Sequence, residues 1–440
     1  MLNLPTKCYF LNILGHFYPF FFNTTYRMAA FAAVSFAEGI TFSAWLRALA
    51  APVASNGEDT ITAASNSWGG APRTARLSVT AVAPDGNAGY NFGVYSSTKA
   101  DGFSFDAPDE HNLWVKPIDI VKVSYGHYDN NTLRGDCCYG SWNWMRPNAW
   151  IEGDEGLLMS GNKDTGLMVE VTPMDGLYIQ ALAPITNQNI KAGDTYKKLR
   201  GGFAYTVPGL VKVKGQYIGK GSGSVKAGDK IYGTAKDIDV TDPSTFKIND
   251  DYTISAKDKT ATADADGNSN CQLEAEVDVL AVEGLTAGVG FRYDVIKDGK
   301  DTAGESEKMK AAVGVSYQVM PELKVSASGA FFQYYNNDAM KPRFQAGAGV
   351  DYDLGDGLAA NADFRYMSPE KNKAGKKDNT DRIAFSVGVV KNVSSNGYLG
   401  VAFQGVTNSG SLGGVEGRKN DKGEAKNFVW AIPVALSVWF

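Results

Sequence analysis

The chain has 440 residues, a net charge of -5 and a mean hydropathy of -0.23. Its length allows one large domain or two or three ordinary ones. No run of about 18 or more apolar residues lies in its body, which excludes membrane-spanning helices there, and the acidic balance argues against nucleic acid as the main partner. Forty-nine glycines and 21 tyrosines, with few apolar patterns of helical period, point to β structure.

At the N-terminus, Met28 to Ala37 read M-A-A-F-A-A-V-S-F-A after Arg27, and Ser35 and Ala37 are small residues at the -3 and -1 positions of a cut before Glu38. The expectation is an export signal over 1–37 and a single domain over 38–440. Upstream, Cys8 to Phe22 is a second apolar run, broken by Pro19. A start codon set too early accounts for it; the alternative is an N-terminal membrane anchor, although neither run spans comfortably. Beyond the cut stand Cys137, Cys138 and Cys271, an odd count that leaves at least one thiol outside any intrachain bond. No C-x-x-C or Cys/His cluster suggests a structural metal, and no cofactor is implied.

Amphipathic segments then recur, separated alternately by short and long gaps. The short gaps carry turn chemistry: Pro84 to Asn87, Pro117 to Asp119, Pro173 to Gly176, Val207 to Gly209, Glu283-Gly284, Met320 to Glu322, Gly355 to Gly357 and Ser395 to Gly397. Long gaps fall near 49–73, 97–109, 129–163, 185–197, 221–270, 298–306, 336–341, 368–380 and 409–426. Together they join about eighteen strands into an all-β, antiparallel arrangement with short turns on one side and long loops on the other. The count requires 110–128 to be split at Pro117, which a paired strand tolerates poorly. Sixteen or twenty strands also fit, chiefly because 230–256 has room for another hairpin.

Alternation with period two assigns the faces. Leu273, Ala275, Val277 and Val279 oppose Gln272, Glu274, Glu276 and Asp278; Leu285 to Val295, Met309 to Val319, Phe344 to Tyr352 and Leu358 to Tyr366 repeat the pattern. A soluble sandwich also alternates, but here the pattern persists with no helical segment to cover it. A charge on a lipid-facing position at mid-membrane costs about 2–4 kcal/mol, so the clean apolar faces are informative.

The inward charges are the first functional candidates. Arg200, Lys212 and Lys214 are basic, Glu274, Glu276 and Asp278 acidic, and Arg292, Lys308 and Lys310 basic again. Opposed stripes of charge across a wet lumen set up a transverse field that tunes ion selectivity; alternatively they solvate the wall and pair with each other. The second candidate is the loop 129–163, with Arg134, Arg146, Tyr139, Trp142, Trp144 and Trp150. Its tryptophans suit stacking on sugars or anchoring the loop. The acidic run Asp264 to Asn270 has oxygens at alternate positions, but its glycine is misplaced for an EF-hand, and a solvated loop explains it better. Catalysis finds little support: His111 and His127 are the only histidines past the cut, and no G-x-S-x-G or H-E-x-x-H occurs. His127 beside Ser124 is the one pair that invites a hydrolase reading.

The chain ends N-F-V-W-A-I-P-V-A-L-S-V-W-F, with Phe428, Trp430, Ile432, Val434, Leu436, Val438 and Phe440 on one strand face and the small Ala431, Ala435 and Ser437 on the other. Here, and in the export signal and alternating strands, the chain resembles the bacterial outer-membrane β-barrel porin family over Gly39 to Phe440. The Trp114-Val115-Lys116-Pro117 turn and glycine-rich strands also resemble porin-like proteins of spirochaetes. The resemblance implies a transmembrane β-barrel with short periplasmic turns and long extracellular loops, 221–270 the longest. It implies a non-enzymatic function, passive diffusion of small polar solutes or ions. By position, 129–163 is the third long loop, which in porins commonly folds inward to narrow the pore. The implied partners are outer-membrane lipid, small polar solutes and the barrel-assembly machinery, which reads the terminal Phe440; a homo-oligomer is left open. Rival readings are a surface adhesin or structural barrel and a fatty-acid transporter, the latter lacking room for a plug ahead of the strand at Ile40.

Overall fold

The computed structural model describes residues 34–37, 39–65, 73–99, 102–105, 110–135, 158–186, 192–220, 230–232, 258–260, 271–295, 307–335, 340–369, 381–412, 415, 417–418 and 427–440. The first strands are β1 (Val34–Ala37), β2 (Ile40–Ser55), β3 (Thr60–Ser65), β4 (Arg73–Val82), β5 (Ala88–Lys99) and β6 (Gly102–Phe105). They are followed by β7 (Glu110–Ile118), β8 (Val121–His127), β9 (Thr165–Met174), β10 (Leu177–Ala183), the short helix α1 (Ala192–Tyr196), β11 (Arg200–Val207) and β12 (Val211–Gly219). After β13 (Lys230–Tyr232) and β14 (Asp258–Thr260) come β15 (Cys271–Val279), β16 (Leu285–Val295), β17 (Glu307–Met320), β18 (Leu323–Tyr334) and β19 (Arg343–Gly355). The last are β20 (Leu358–Met367), β21 (Arg382–Ser394), β22 (Gly397–Val406), β23 (Val429–Ala431) and β24 (Val434–Trp439).

Each strand pairs antiparallel with its neighbour, and the ring closes where β24 meets β2, from Trp45↔Trp439 to Ala50↔Val434. Three staves are interrupted. β3 and β4 both lie along β2, β6 and β7 along β5, and β23 and β24 along β22 and β2. The last break falls at Pro433, which has no N–H to donate to a ladder; its carbonyl accepts from Ala402 N at 3.1 Å. With these counted as single staves the wall is a closed barrel of eighteen. Closure satisfies the backbone groups within the wall, which is what a β structure in hydrocarbon requires.

The face assignments hold. On β15, Gln272, Glu274, Glu276 and Asp278 are buried while Leu273 and Val277 are exposed. The same alternation leaves Val289, Val313, Phe364 and Val387 exposed on the outer surface, where they form an apolar belt. Seven of the eight short turns sit where expected and the remaining one falls just later, at Asp119-Ile120, all on one rim. The first, between β4 and β5, holds Gly86 at φ +72, a conformation that favours glycine.

Four details differ from the sequence reading. The gap at 49–73 is partly wall, since β2 runs to Ser55 and β3 returns along it; the gap at 97–109 likewise contains the end of β5 and β6. There the inner face carries Leu49, Ala51 and Ala54, all buried, so the polar–apolar contrast that marks a strand is missing. Pro117 lies inside β7 rather than in the turn, tolerated because the β7–β8 register shifts between Val115 and Ile118. The extra hairpin allowed at 230–256 becomes β13 and β14, which pair only with each other and leave the count at eighteen. Finally, β1 folds back on the foot of β2 (Val34↔Phe42), so residues assigned to the export signal have a strand partner in the chain as written.

Candidate pore constriction

The loop between β8 and β9 is described at its two roots, 128–135 and 158–164. The arms run side by side: Asn130 N donates to Asn162 O at 2.9 Å and Asn162 N to Asn130 O at 2.6 Å. Tyr128 closes the base, donating to Gly166 O at 2.9 Å, and burial pushes its phenol up. From there the roots lie on the inner wall. Leu133 is buried against Gly202 of β11, where a Cβ would stand 2.5 Å from its Cδ1; the glycine makes room for the loop. The Arg134 carbonyl accepts from Lys214 Nζ on β12. Ser160 donates to Glu274 of β15 from both its backbone N (2.8 Å) and its hydroxyl (2.9 Å), and Gln216 Nε2 donates to Ser160 O at 2.8 Å. Gln216 and Gln272 also donate to the same carboxylate. Leu158, at φ +71, joins a buried cluster with Ala312, Ala330, Phe332, Tyr334 and Met340 on and above β17 and β18. The roots therefore span the inner wall from β9 to β18.

Most of the charges singled out in the sequence are partnered locally. Lys214 Nζ stands 3.8 Å from Glu276 Oε1, with both side chains at 0% exposure. Arg200 pairs with Asp164 at 2.7 Å, Arg292 Nε with Asp294 at 3.2 Å, and Lys310 with Glu307 at 2.7 Å while lying over the Phe332 ring. Lys308 lies over Tyr335. Lys212 faces Asp278 in register across β12 and β15. Glu274 is taken up by the loop. Lys214 with Glu276 and Lys212 with Asp278 thus join one stripe to another, and the other charges are met by near neighbours outside the stripes. Arg134 is at the loop root; Arg146, the tryptophans at 142, 144 and 150, Cys137, Cys138 and the run 264–270 lie outside the described residues. Ser124 and His127, three apart on β8, fall on opposite faces, and His127 Nδ1 sits 2.7 Å from Thr165 Oγ1, so the two do not form a catalytic pair.

Sequence reasoning missed two features. One is a second loop folded inward, after β22. Leu412 and Val415 bridge to each other and pack with Ala51, Ala54, Ala384, Val406, Val429 and Ala431. Arg418 ties it to the β2–β3 turn through Glu58 and Asp59, each at 3.2 Å. The apolar inner face of upper β2 was the available signal. The other is an arginine–aromatic group beside the closure seam. Arg47 lies 4.8 Å over Trp45 and Arg76 5.6 Å over Tyr95, with Trp439 and Tyr398 packed behind.

No protein-family model matches the chain, and no curated protein does. Solved structures do. An anion-selective porin from Comamonas acidovorans is 12% identical at a TM-score of 0.47, covering 91% of this chain and 99% of that one. OmpT, an outer-membrane protein of Vibrio cholerae, is 12% identical at a TM-score of 0.40, covering 93% and 100%. A mutant of the Rhodopseudomonas blastica porin is 11% identical at 0.41, covering 91% and 100%. The structural neighbours are bacterial outer-membrane porins. A closed, even-numbered antiparallel barrel with an apolar belt is the architecture of that membrane, and this wall is built for it.

Proposed function

We propose that the chain is a diffusion porin: a water-filled barrel that passes small polar solutes or ions across the outer membrane, narrowed by the loop between β8 and β9. The observation that carries the reading is the fixing of that loop's return arm inside the barrel, by Ser160 on Glu274 and by Leu158 in the cluster on β17 and β18. A loop built to meet a host surface has no use for such anchorage, and bending it inward forfeits its reach. Leucine at positive φ costs about 1–3 kcal/mol. Hydrogen bonds to a charged group return about 1.5–3 kcal/mol each, enough for the two from Ser160 to offset the strain. Refolded protein in planar bilayers tests the proposal. Discrete, ohmic conductance steps are expected; a correctly folded barrel that inserts without conducting would leave a structural or adhesive barrel as the better reading.

A further inference from the structure

The two inward loops divide the inner wall. The described contacts of the first fall chiefly on β9 to β18, with Asp129 at its root also reaching Arg76 on β4, and those of the second on β20 to β23 with β2 and β3. Burial of the inward-facing polar side chains is fullest on the strands beneath the loops, and Asn112 on β7 and Ser124 on β8 are buried as well. On β15 all of Gln272, Glu274, Glu276 and Asp278 are buried, and so are Ser326 and Ser328 on β18 and Asn361 and Asp363 on β20. On β2, β4 and β5 the inward positions Thr41, Ser43, Ser78, Thr80 and Asn91 are only half-buried. They are contiguous, because Thr41 faces Thr80, Ser43 faces Ser78 and Thr80 faces Asn91 in register. Above them Arg76 ends the strip, its charge met by Glu110 and Asp129 at 3.5 Å each.

We infer that the permeation path runs along this hydroxyl and amide strip on β2, β4 and β5, and that it takes uncharged, hydrogen-bonding solutes of the polyol or sugar class. The inference rests on the diffusion reading above and adds to it where the solute travels and what it touches. A strip of hydroxyls and amides exchanges hydrogen bonds with a hydroxylated solute as water does, so the solute sheds hydration without a net cost. A bare ion gains little from such groups unless they are gathered as a coordinating ring, and the guanidinium above the strip is already balanced by carboxylates. Ser78 and Thr80 are therefore the residues that set passage, and the buried charges on β15 act on the loop instead.

Cysteine replacement tests this in planar bilayers, with heat-modifiability confirming that each variant is folded. The variants are Ser78→Cys, Thr80→Cys and, as the buried inward control, Ser328→Cys; unsubstituted protein gives the baseline for the native thiols. A cationic methanethiosulfonate reagent should irreversibly lower conductance in Ser78→Cys and Thr80→Cys and shift their reversal potential toward anions, while Ser328→Cys follows the baseline. Before modification, the reversal potential in a potassium chloride gradient should lie near zero. Response at Ser328→Cys with none at positions 78 and 80 would overturn the path. Strong selectivity in the unsubstituted protein would overturn the solute class. Absence of conductance in the unsubstituted protein would instead overturn the diffusion reading itself.

Discussion

Ser160 reaches Glu274 with two hydrogen bonds although 114 residues separate them, and the contact joins a loop to a strand four places round the wall from β9. The carboxylate also accepts from Gln216 and Gln272, so one buried side chain on β15 organises the loop arm and its neighbours on β12.

Replacing that carboxylate should free the arm. Glu274→Ala removes every acceptor that Ser160 uses there, and each charge-assisted bond carries about 1.5–3 kcal/mol. Open-channel current should become noisier and its mean should rise. Glu274→Gln, which keeps one acceptor oxygen, should recover part of the quiet state. Traces for Glu274→Ala indistinguishable from the unsubstituted protein would show that Leu158 and the bond from Gln216 to the Ser160 carbonyl suffice to hold the arm.

Lys214 and Glu276 form a pair with no exposed side-chain surface. Removing one partner of a buried pair costs about 3–5 kcal/mol, because the other charge stays behind in a poorly solvated place. Lys214→Met should therefore lower the urea midpoint of the refolded barrel, and the double variant Lys214→Met/Glu276→Gln should regain most of the loss. A loss in the double variant equal to the sum of the losses in Lys214→Met and Glu276→Gln alone would mean that the two side chains contribute independently.

The alternation of Glu274, Glu276 and Asp278 with Leu273 and Val277 reveals a strand and its two faces, because one residue type cannot serve both lipid and lumen. It does not reveal neighbours. That Lys214 meets Glu276 follows from the β12–β15 register, which is set across the loop 220–270. Upper β2 shows the opposite failure. Leu49, Ala51 and Ala54 face inward yet are apolar, because Leu412 and Val415 from the far end of the chain cover part of that face. A local pattern cannot anticipate so distant a cover. Leu158 is hidden for the same reason: its role depends on Phe332, which no spacing connects to it.

The terminal residue should matter for assembly more than for energy. Phe440 is exposed on the outer face, and its backbone exchanges hydrogen bonds with Ala44 at 2.8 and 2.9 Å. A chain lacking Phe440 loses those two bonds at the seam and the terminal aromatic expected to be read during assembly. The yield of heat-modifiable, surface-exposed barrel should fall steeply in cells, while the urea midpoint of refolded protein changes little. Normal yield in cells would sink the assembly role.

Cleavage is expected after Ala37. The mature chain should begin at Glu38, which removes β1 and leaves the foot of β2 beside Phe440 without that strand. N-terminal sequencing of protein from the outer membrane decides it; a mature protein that retains Cys8 would contradict the export signal.

The constriction itself is tested by shortening the loop. Removing Ala149 to Gly161 deletes both Leu158 and Ser160, the two residues that fix the return arm to the wall. If the loop narrows the lumen, conductance must rise, because the narrowest section dominates the resistance of a channel. Reversing Arg134 and Arg146 to glutamate asks a separate question. Charges held in a constriction between low-dielectric walls act on ions more strongly than charges in open solution, so the pair of reversals should shift the reversal potential toward cations without the rise in conductance. A loop that stands outward changes neither quantity. In that outcome the anchorage of Ser160 would serve only to brace an external surface, and binding by the loop rather than passage past it would become the function to pursue.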